Sequence, residues 1–349
     1  MNTTPVVRSN GSVTPPSSSE LPEDLLQLLQ YILILGVALP SSFIGCVTNV
    51  LNIIVIARMD WKQTINISLF ALAVSDLVGL LGLIWFCICF SPWLQQAENL
   101  SFIPREIGIA TGSWVHLVFA RITGYLTFLI SAERCLCILF PMKIKTMITP
   151  RRIKAIVVGI FIWGIGIQYL SILTYEIGWK FSEEKNKTLL GVLYREIGID
   201  IELPVVMTNN VMSQYVTFVG VVAFTAILAN RLKRQSKWRQ SSSQTAASEV
   251  STKRDMRIVK TVSVISAVYI VCYFPNTISF SCLLIVPGYG LYGRYGMLLD
   301  FVTVCAYVLE VFNSSINTFL YWTFMVQYRS ELRRLLKYCR PSSTQPSSQ

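Results

Sequence analysis

Seven long blocks of apolar residues run along the chain, separated by shorter polar segments. The blocks cover residues 31–57, 66–90, 107–139, 153–175, 205–230, 258–286 and 297–322. Each block is long enough to cross a bilayer, whose hydrocarbon core needs about 20 helical residues. A spanning segment must satisfy its own backbone hydrogen bonds, so each block is predicted to be a helix. The pattern therefore predicts an all-α membrane protein, a seven-transmembrane helix bundle.

The polar segments outside the blocks complete the predicted organisation. Residues 1–29 are predicted to be a disordered extracellular arm, because most of this segment is rich in Ser, Pro and Thr. Residues 30–323 form the membrane domain. Over residues 324–340, apolar positions recur at helical spacing with basic positions between them, which predicts a short amphipathic helix on the cytoplasmic membrane surface. Residues 341–349 are predicted to be a disordered cytoplasmic tail.

The charge distribution predicts the orientation of the chain. Hydrophobic residues make up 53% of the 349 residues and charged residues 14%, against about 25% in soluble domains. Of the 30 lysines and arginines, 22 follow the odd-numbered blocks and 7 lie on the other side. Because basic loops stay in the cytoplasm, the amino terminus is predicted outside and the carboxyl terminus inside. The net charge of +11 thus indicates topology, and no nucleic-acid partner is predicted.

Candidate modification sites agree with this orientation. The sequons at Asn2, Asn10, Asn99 and Asn186 fall on the predicted outer side and are candidate glycosylation sites. Cys339, at the end of the amphipathic segment, is a candidate palmitoylation site, with a free thiol on a solvated helix as the alternative.

The cysteines and the histidine predict neither a metal site nor an outer disulfide framework. None of the nine cysteines lies in an outer loop, and none has zinc-like spacing with a histidine, since His116 is the only one. No metal centre is expected, and the one candidate cofactor is a sodium ion at Asp76.

Ionisable residues inside the blocks cost roughly 2.5–3.5 kcal/mol each to insert, so each needs a partner or a function. The candidates are Asp76, His116, Arg121, Glu133, Arg134 and Glu310.

Short motifs around these residues occur in a fixed order along the blocks. They are GCVTNV with Asn49, LFALAVSDLVGLL with Asp76, Glu133-Arg134-Cys135, CYFP, and NSSINTFLY before the amphipathic segment. With these motifs, residues 30–340 resemble a rhodopsin-like (class A) G-protein-coupled receptor. The segment ERCLCILFPMKIKTMIT resembles orphan peptide-type or chemosensory receptors of invertebrates.

The resemblance implies a function and partners. It implies a multi-pass plasma-membrane receptor that binds an extracellular ligand and activates a heterotrimeric G protein when helix 6 moves outward. Arrestin, a receptor kinase and membrane lipids are further implied partners.

The resemblance also assigns roles to residues at the cytoplasmic side. Glu133 and Arg134 correspond to an acidic–arginine switch at the end of helix 3, with Asp255 on helix 6 as the resting partner of Arg134. Asn317 and Tyr321 belong to the same switch. The physical basis is an ion pair at a water-exposed boundary, worth about a kcal/mol and hence reversible.

A second implied group is a polar cluster in the membrane. Asp76, Asn49, Thr123, Asn313 and Asn317 resemble a water-and-sodium cluster. The alternative is a dry hydrogen-bonded network.

The chain departs from the family pattern at several positions. Tyr273 replaces a tryptophan, Thr318 a proline and Cys135 a tyrosine. The family's disulfide between helix 3 and the second outer loop lacks both cysteines. We therefore expect that loop to be less tethered, by about 2–4 kcal/mol.

Helical geometry predicts a charged pocket. His116 and Arg134 are five helical turns apart and share a face, while Arg121 lies about 140° around and is predicted to face helices 4 and 5. Glu310 shares the inward face of Asn317. The hypothesis is a charged or strongly polar ligand, such as a small peptide or an amino-acid-like molecule. Its predicted contacts are His116, Arg121, Tyr273, Asn276 and Glu310. The alternative is that these groups only satisfy one another.

Two other functional classes fit the sequence less well than a receptor does. A transporter or channel would line its path with Arg121 and Glu310, but the two halves of the sequence show no repeat. An intramembrane enzyme would need catalytic motifs such as HExxH, and the sequence contains none. The sequence therefore favours a receptor that is not an enzyme.

Overall fold

Seven helices long and apolar enough to cross a membrane form the body of the protein. The computed structural model describes residues 23–140, 144, 147–183, 185–195, 206–239, 246–290 and 293–338. The predicted fold class is confirmed. Following the orientation predicted from the charge distribution, we call the side that carries the amino-terminal end of helix α1 the outer side and the opposite side the cytoplasmic side.

The helices follow the predicted blocks closely. Helix α1 consists of Glu23–Tyr31, a π-helical segment Ile32–Ala38, and Leu39–Ala57; α2 is Thr64–Phe90. Helix α3 consists of Pro104–Gly108, a π-helical segment Ile109–Ser113, and Trp114–Leu139; α4 is Pro150–Ile172. Helix α5 consists of a π-helical segment Val206–Met212 and Ser213–Arg239; α6 is Ala246–Ile285, and α7 is Gly296–Phe324.

The first helix begins earlier than predicted. Helix α1 starts at Glu23, inside the segment assigned to the disordered arm, whose boundary at residue 29 is therefore wrong. The sequence EDLLQLLQY places Leu26 on a buried face, because leucines three and four residues apart align on a helix. These eight residues, about two helical turns, extend α1 beyond the apolar block.

Helices α2 and α3 form the buried centre of the bundle, whereas α4 is mostly exposed at its surface. Close approach of α2 and α3 depends on two glycines. A Cβ atom added to Gly112 would lie 2.8 Å from the carbonyl oxygen of Gly82, and one added to Gly82 would lie 2.9 Å from that of Gly112. Small residues at such crossings let helix backbones approach within a membrane.

A β-hairpin follows α4 on the outer side. Strands β1 (Tyr175–Ser182) and β2 (Lys187–Tyr194) pair antiparallel, with Trp179 opposite Leu190. Alternate residues of β1, among them Ile177, Trp179 and Phe181, are exposed on one face. This hairpin was not predicted from the sequence.

The predicted amphipathic helix follows α7 after one residue. Helix α8 is Val326–Tyr338. Tyr328 and Leu332 are buried against the bundle, while Arg333 and Arg334 are exposed. This arrangement separates an apolar face from a basic face, as expected for a helix lying along a membrane surface.

Candidate ligand and switch sites

A carboxylate on α7 lies at the centre of a buried charged cluster. Glu310 is 1% exposed, and its Oε2 atom lies 3.0 Å from Nε2 of His116 on α3. Its Oε1 atom accepts hydrogen bonds from Nη2 of Arg121 at 3.5 Å and Nδ2 of Asn276 at 3.2 Å. Nδ1 of His116 lies 3.1 Å from the carbonyl oxygen of Gly79. One carboxylate therefore joins α3, α6 and α7.

The guanidinium of Arg121 extends this cluster to α5. Nη1 donates a hydrogen bond to Oε1 of Gln214, and Cζ lies 6.0 Å from the ring centre of Tyr273 and 5.7 Å from that of Phe280. Nε is buried and has no hydrogen-bond partner within the described residues. An unpaired buried donor costs about 1–3 kcal/mol, so Nε is a place where an acceptor would be stabilised.

The predicted ligand residues are therefore brought together, with Tyr273 beside the cluster. The prediction for Arg121 was only partly right, because its guanidinium reaches Gln214 on α5 but then crosses to Glu310 on α7. The contacts of Glu310 with His116 and Asn276 are those expected under the alternative, in which the polar groups only satisfy one another.

Two stacked tyrosines on α6 lie next to the cluster. The rings of Tyr269 and Tyr273 are 4.3 Å apart, and Tyr273 donates a hydrogen bond to the carbonyl oxygen of Ala120 at 3.4 Å. The Tyr269 hydroxyl lies 3.2 Å from Oγ1 of Thr217 on α5. It fits there because Gly124 has no side chain, and an added Cβ would lie 2.9 Å from that hydroxyl. The pair thus ties α6 to α3 and α5.

Asp76 on α2 is the acceptor of a second polar cluster. Oδ1 accepts hydrogen bonds from Oγ1 of Thr123 at 2.8 Å and Oγ of Ser314 at 3.0 Å, and Oδ2 accepts one from Nδ2 of Asn317 at 2.9 Å. Thr123 also lies 3.1 Å from Oγ of Ser75. These contacts join α2, α3 and α7 through one buried carboxylate.

Two members of the predicted polar cluster lie differently from the expectation. Ser314, and not Asn313, contacts Asp76, because neighbouring residues on a helix point about 100° apart. Asn49 reaches the cluster indirectly, since its Nδ2 donates to the carbonyl oxygen of Ser314 at 2.9 Å. Asn313 is buried one position earlier on α7.

A third polar network, not predicted from the sequence, joins α1, α7 and α8. Oδ1 of Asn52 accepts hydrogen bonds from Oγ1 of Thr318 at 2.9 Å and the hydroxyl of Tyr328 at 2.7 Å. Thr318 also lies 3.1 Å from the carbonyl oxygen of Thr48, which it can donate to. The network fixes the start of α8 against the bundle.

The Glu133–Arg134 pair lies at the cytoplasmic end of α3. Nη2 of Arg134 donates to Oε1 of Glu133 at 2.5 Å and to Oγ1 of Thr64 on α2 at 3.3 Å. Oγ1 of Thr64 also donates to Glu133. The side chain of Asp255, the predicted partner on α6, lies outside the described residues. Arg134 is thus held by its own helix and α2.

A serine pair joins α6 to α3 near this switch. The hydroxyls of Ser131 and Ser266 lie 2.7 Å apart, and both residues are fully buried. Tyr321, a predicted switch residue, is buried with its ring 5.6 Å from that of Tyr328. The Tyr321 hydroxyl has no hydrogen-bond partner among the residues that the structure describes.

Comparison with known proteins identifies the family. The sequence model of the 7 transmembrane receptor (rhodopsin) family matches residues 48–321. The chain belongs to this family. It is a class A receptor of the plasma membrane and not an enzyme, as the sequence motifs indicated.

Its similarity to individual family members is distant. It is 23% identical over 337 residues to growth hormone secretagogue receptor type 1 of Sus scrofa, covering 93% of this chain and 87% of that receptor. It is 24% identical over 289 residues to the histamine H2 receptor of Canis lupus familiaris, covering 81% and 72%.

This receptor holds its outer hairpin by an ionic clamp. Glu106, at the start of α3, accepts a hydrogen bond from Nζ of Lys180 at 2.7 Å and from the backbone N–H of Val192 at 2.8 Å. The carboxylate can reach both strands because Gly191, the residue of β2 that lies against it, has no side chain. A Cβ atom added to Gly191 would lie 2.7 Å from Oε2 of Glu106.

Backbone hydrogen bonds provide a second tether. The N–H of Ile103 donates to the carbonyl of Leu190 at 2.8 Å, and the N–H of Leu190 donates to the carbonyl of Ser101 at 2.8 Å. The hairpin is therefore bound to the first outer loop and to α3. These contacts tether the loop without a disulfide, and the expected loss of about 2–4 kcal/mol relative to a disulfide stays a prediction.

Removing the clamp is expected to loosen the hairpin. Glu106→Ala should speed hydrogen exchange of the Val192 amide about tenfold, equivalent to about 1.4 kcal/mol, because a partly shielded ionic hydrogen bond is lost. Glu176→Ala is the control, since its bond to Arg195 is half exposed and contributes little. Equal exchange rates in both variants would contradict the clamp.

The predicted modification sites are partly described. Asn99 and Asn186 are both exposed on the outer side, Asn186 in the hairpin turn with φ 48°. Asn2, Asn10 and Cys339 lie outside the described residues.

Proposed function

We propose that this receptor binds an extracellular ligand at the cluster of His116, Arg121, Asn276 and Glu310, with Tyr273 beneath it. The observation that carries the proposal is the buried Arg121, whose Nε lacks a partner in the described chain. A ligand carboxylate, carbonyl or phosphate oxygen would supply the missing acceptor, while Glu310 would accept from a ligand donor. The ligand is therefore a charged or strongly polar molecule, such as a small peptide or an amino-acid-like compound.

The names of the two relatives do not favour one class of ligand over another. One is named for growth hormone secretagogues and the other for histamine. The proposal consequently rests on the polar groups of this chain, and the family resemblance supports only the place of binding.

Substituting the cluster tests ligand binding once a polar library has yielded an agonist. Glu310→Gln is nearly isosteric, and should weaken agonist potency at least tenfold, about 1.4 kcal/mol, at matched surface levels. Asp300→Asn is the control, because this exposed carboxylate lies on the same helix. Unchanged potency in both Glu310→Gln and Arg121→Gln would leave the cluster with a purely structural role.

We infer that activation moves α6 outward and opens a cleft for a heterotrimeric G protein. The resting position of α6 is supported by the Ser131–Ser266 contact and by the contact between Tyr269 and Thr217. Each hydrogen bond contributes about 0.5–1.5 kcal/mol, so the balance between two positions is easily shifted. Release of Arg134 from Glu133 would accompany this movement.

Weakening these contacts is expected to raise ligand-independent signalling. Ser266→Ala and Tyr269→Phe should each raise basal G-protein activation about 2–10-fold, because each removes one resting hydrogen bond. The matched control is Ser263→Ala, since the Ser263 hydroxyl is buried and has no partner within the described part of α6 or its neighbours. Basal activity no higher than in the control would contradict the restraint.

We also propose that the oxygens around Asp76 hold a sodium ion in the resting receptor. Sodium is bound by oxygen atoms, and Asp76, Ser75, Thr123 and Ser314 supply a carboxylate and three hydroxyls within hydrogen-bond reach of one another. This donor set fits a small monovalent cation. The ion would add positive charge beside the buried carboxylate.

The sodium proposal is tested by stability in different salts. The purified receptor should melt at a higher temperature in sodium chloride than in N-methyl-D-glucamine chloride at equal ionic strength. Asp76→Asn should abolish the difference. A sodium effect that survives Asp76→Asn would place the ion elsewhere.

We propose that the amino terminus of the receptor is extracellular and its carboxyl terminus cytoplasmic. An epitope at the amino terminus is expected to be accessible on intact cells, and one after Gln349 only after permeabilisation. Arrestin and a receptor kinase are proposed as cytoplasmic partners from the family alone.

A further inference from the structure

An apolar groove lies between α2 and α4 on the membrane-facing side of the bundle. It has a volume of about 690 Å³. Its lining includes Phe70, Val74, Val158, Phe161, Ile165 and Tyr169. Apart from the Tyr169 hydroxyl these side chains are hydrocarbon, so the groove matches an extended acyl chain and not a polar ligand.

An aromatic and a cationic side chain lie next to the cytoplasmic end of the groove. The ring of Phe70, which lines the groove, lies 5.1 Å from that of Trp61. Nζ of Lys154 lies 5.5 Å from the ring centre of Trp61. Lys154 precedes the groove residue Val158 by four positions and therefore shares its face of α4. Arg151 lies one turn earlier on that face.

These cations are available to an anionic ligand. No ion pair found within the described residues involves Lys154 or Arg151, and both are exposed. The nearby carboxylate of Asp60 accepts a hydrogen bond from the backbone of Lys62. The Trp61 ring is fixed by a 3.1 Å hydrogen bond from Nε1 to the carbonyl of Ala57.

We propose that the groove and these two cations form a binding site for one anionic phospholipid of the inner leaflet. An acyl chain lies along Val158 and Phe161, and the headgroup contacts Lys154 and Arg151. Each basic residue near an anionic headgroup contributes roughly a fivefold gain in binding. A zwitterionic phospholipid of equal chain length gains less, because its headgroup carries no net charge. The proposal is independent of the ligand and the G protein.

Native mass spectrometry of the full-length receptor in detergent tests the site. Phosphatidylserine and phosphatidylcholine with identical chains are added in equal amounts. One phosphatidylserine should be retained at least fivefold better than phosphatidylcholine. Lys154→Gln combined with Arg151→Gln should bring retention to the phosphatidylcholine level. Lys233→Gln, an exposed cation on α5, is the control and should leave retention unchanged.

A second variant tests the groove separately from the charges. Gly166 lines the groove, and a Cβ added there meets no atom within 4 Å, so Gly166→Phe places a bulky side chain in the groove from an uncrowded position. It should lower phosphatidylserine retention at least threefold with the cations intact. Equal retention of the two phospholipids would overturn the proposal, as would preferential retention of cholesterol or binding unaffected by both variants.

Discussion

Replacing Glu310 with glutamine is expected to cost about 3–5 kcal/mol of the free energy of unfolding, which would appear as a large fall in melting temperature. The substitution leaves Arg121 as a buried cation without a counter-charge, and removing one partner of a buried pair has an effect of this size. Both side chains are only 2% exposed, so water cannot compensate. Thermal unfolding of purified receptor in detergent measures the change.

The paired variant separates charge from packing. Arg121→Gln with Glu310→Gln removes both charges, so its loss of stability should be clearly smaller than the sum of the single losses. Glu176→Gln is the control, since the Glu176–Arg195 pair is about half exposed and contributes at most about 1 kcal/mol. Additive losses in the double variant would show that the two charges do not interact.

Arg134→Ala is expected to abolish G-protein activation while leaving most of the receptor at the cell surface. The guanidinium lies at the cytoplasmic end of α3, held by Glu133 and Thr64, and is 13% exposed. Under the proposed mechanism it is released toward the G protein when α6 moves. Agonist-independent and agonist-stimulated nucleotide exchange should both fall to the level of receptor-free membranes.

Companion variants locate the resting restraint. Arg134→Lys keeps the charge and should retain part of the activity. From the family resemblance, Asp255→Ala is expected to raise ligand-independent activity. Unchanged basal activity in Asp255→Ala together with a rise in Ser266→Ala would assign the restraint to the serine pair. Full activity of Arg134→Ala would remove Arg134 from the mechanism.

The helices were predictable because each depends on local sequence. A run of about 20 apolar residues between charged segments is almost sufficient to determine a membrane helix. The observed ends of α2 to α7 therefore lie within about twelve residues of the ends of the predicted blocks. The hairpin also had a local signal. Tyr175, Ile177, Trp179 and Phe181 alternate with polar residues or glycine, which is typical of a half-exposed strand.

The contacts between distant segments could not be predicted in the same way. Asn52 meets Thr318 and Tyr328 across more than 260 residues of sequence, and only the packing of α1 against α7 and α8 brings them together. Helical periodicity placed Glu310 on an inward face but could not show that it pairs with Arg121. The sequence could not show whether Asn313 or its neighbour Ser314 contacts Asp76, because the choice depends on how α7 is rotated about its axis.

Nucleotide exchange on purified heterotrimeric G proteins is the most direct measurement of receptor function, and it needs no identified ligand. Membranes containing the Ser266→Ala, Tyr269→Phe double variant are compared with wild-type membranes at matched receptor levels, for each class of G protein. The double variant should accelerate exchange on at least one class, and adding Arg134→Ala should return it to the receptor-free rate. Exchange at the receptor-free rate for every class, in wild type and double variant alike, would contradict the proposed coupling.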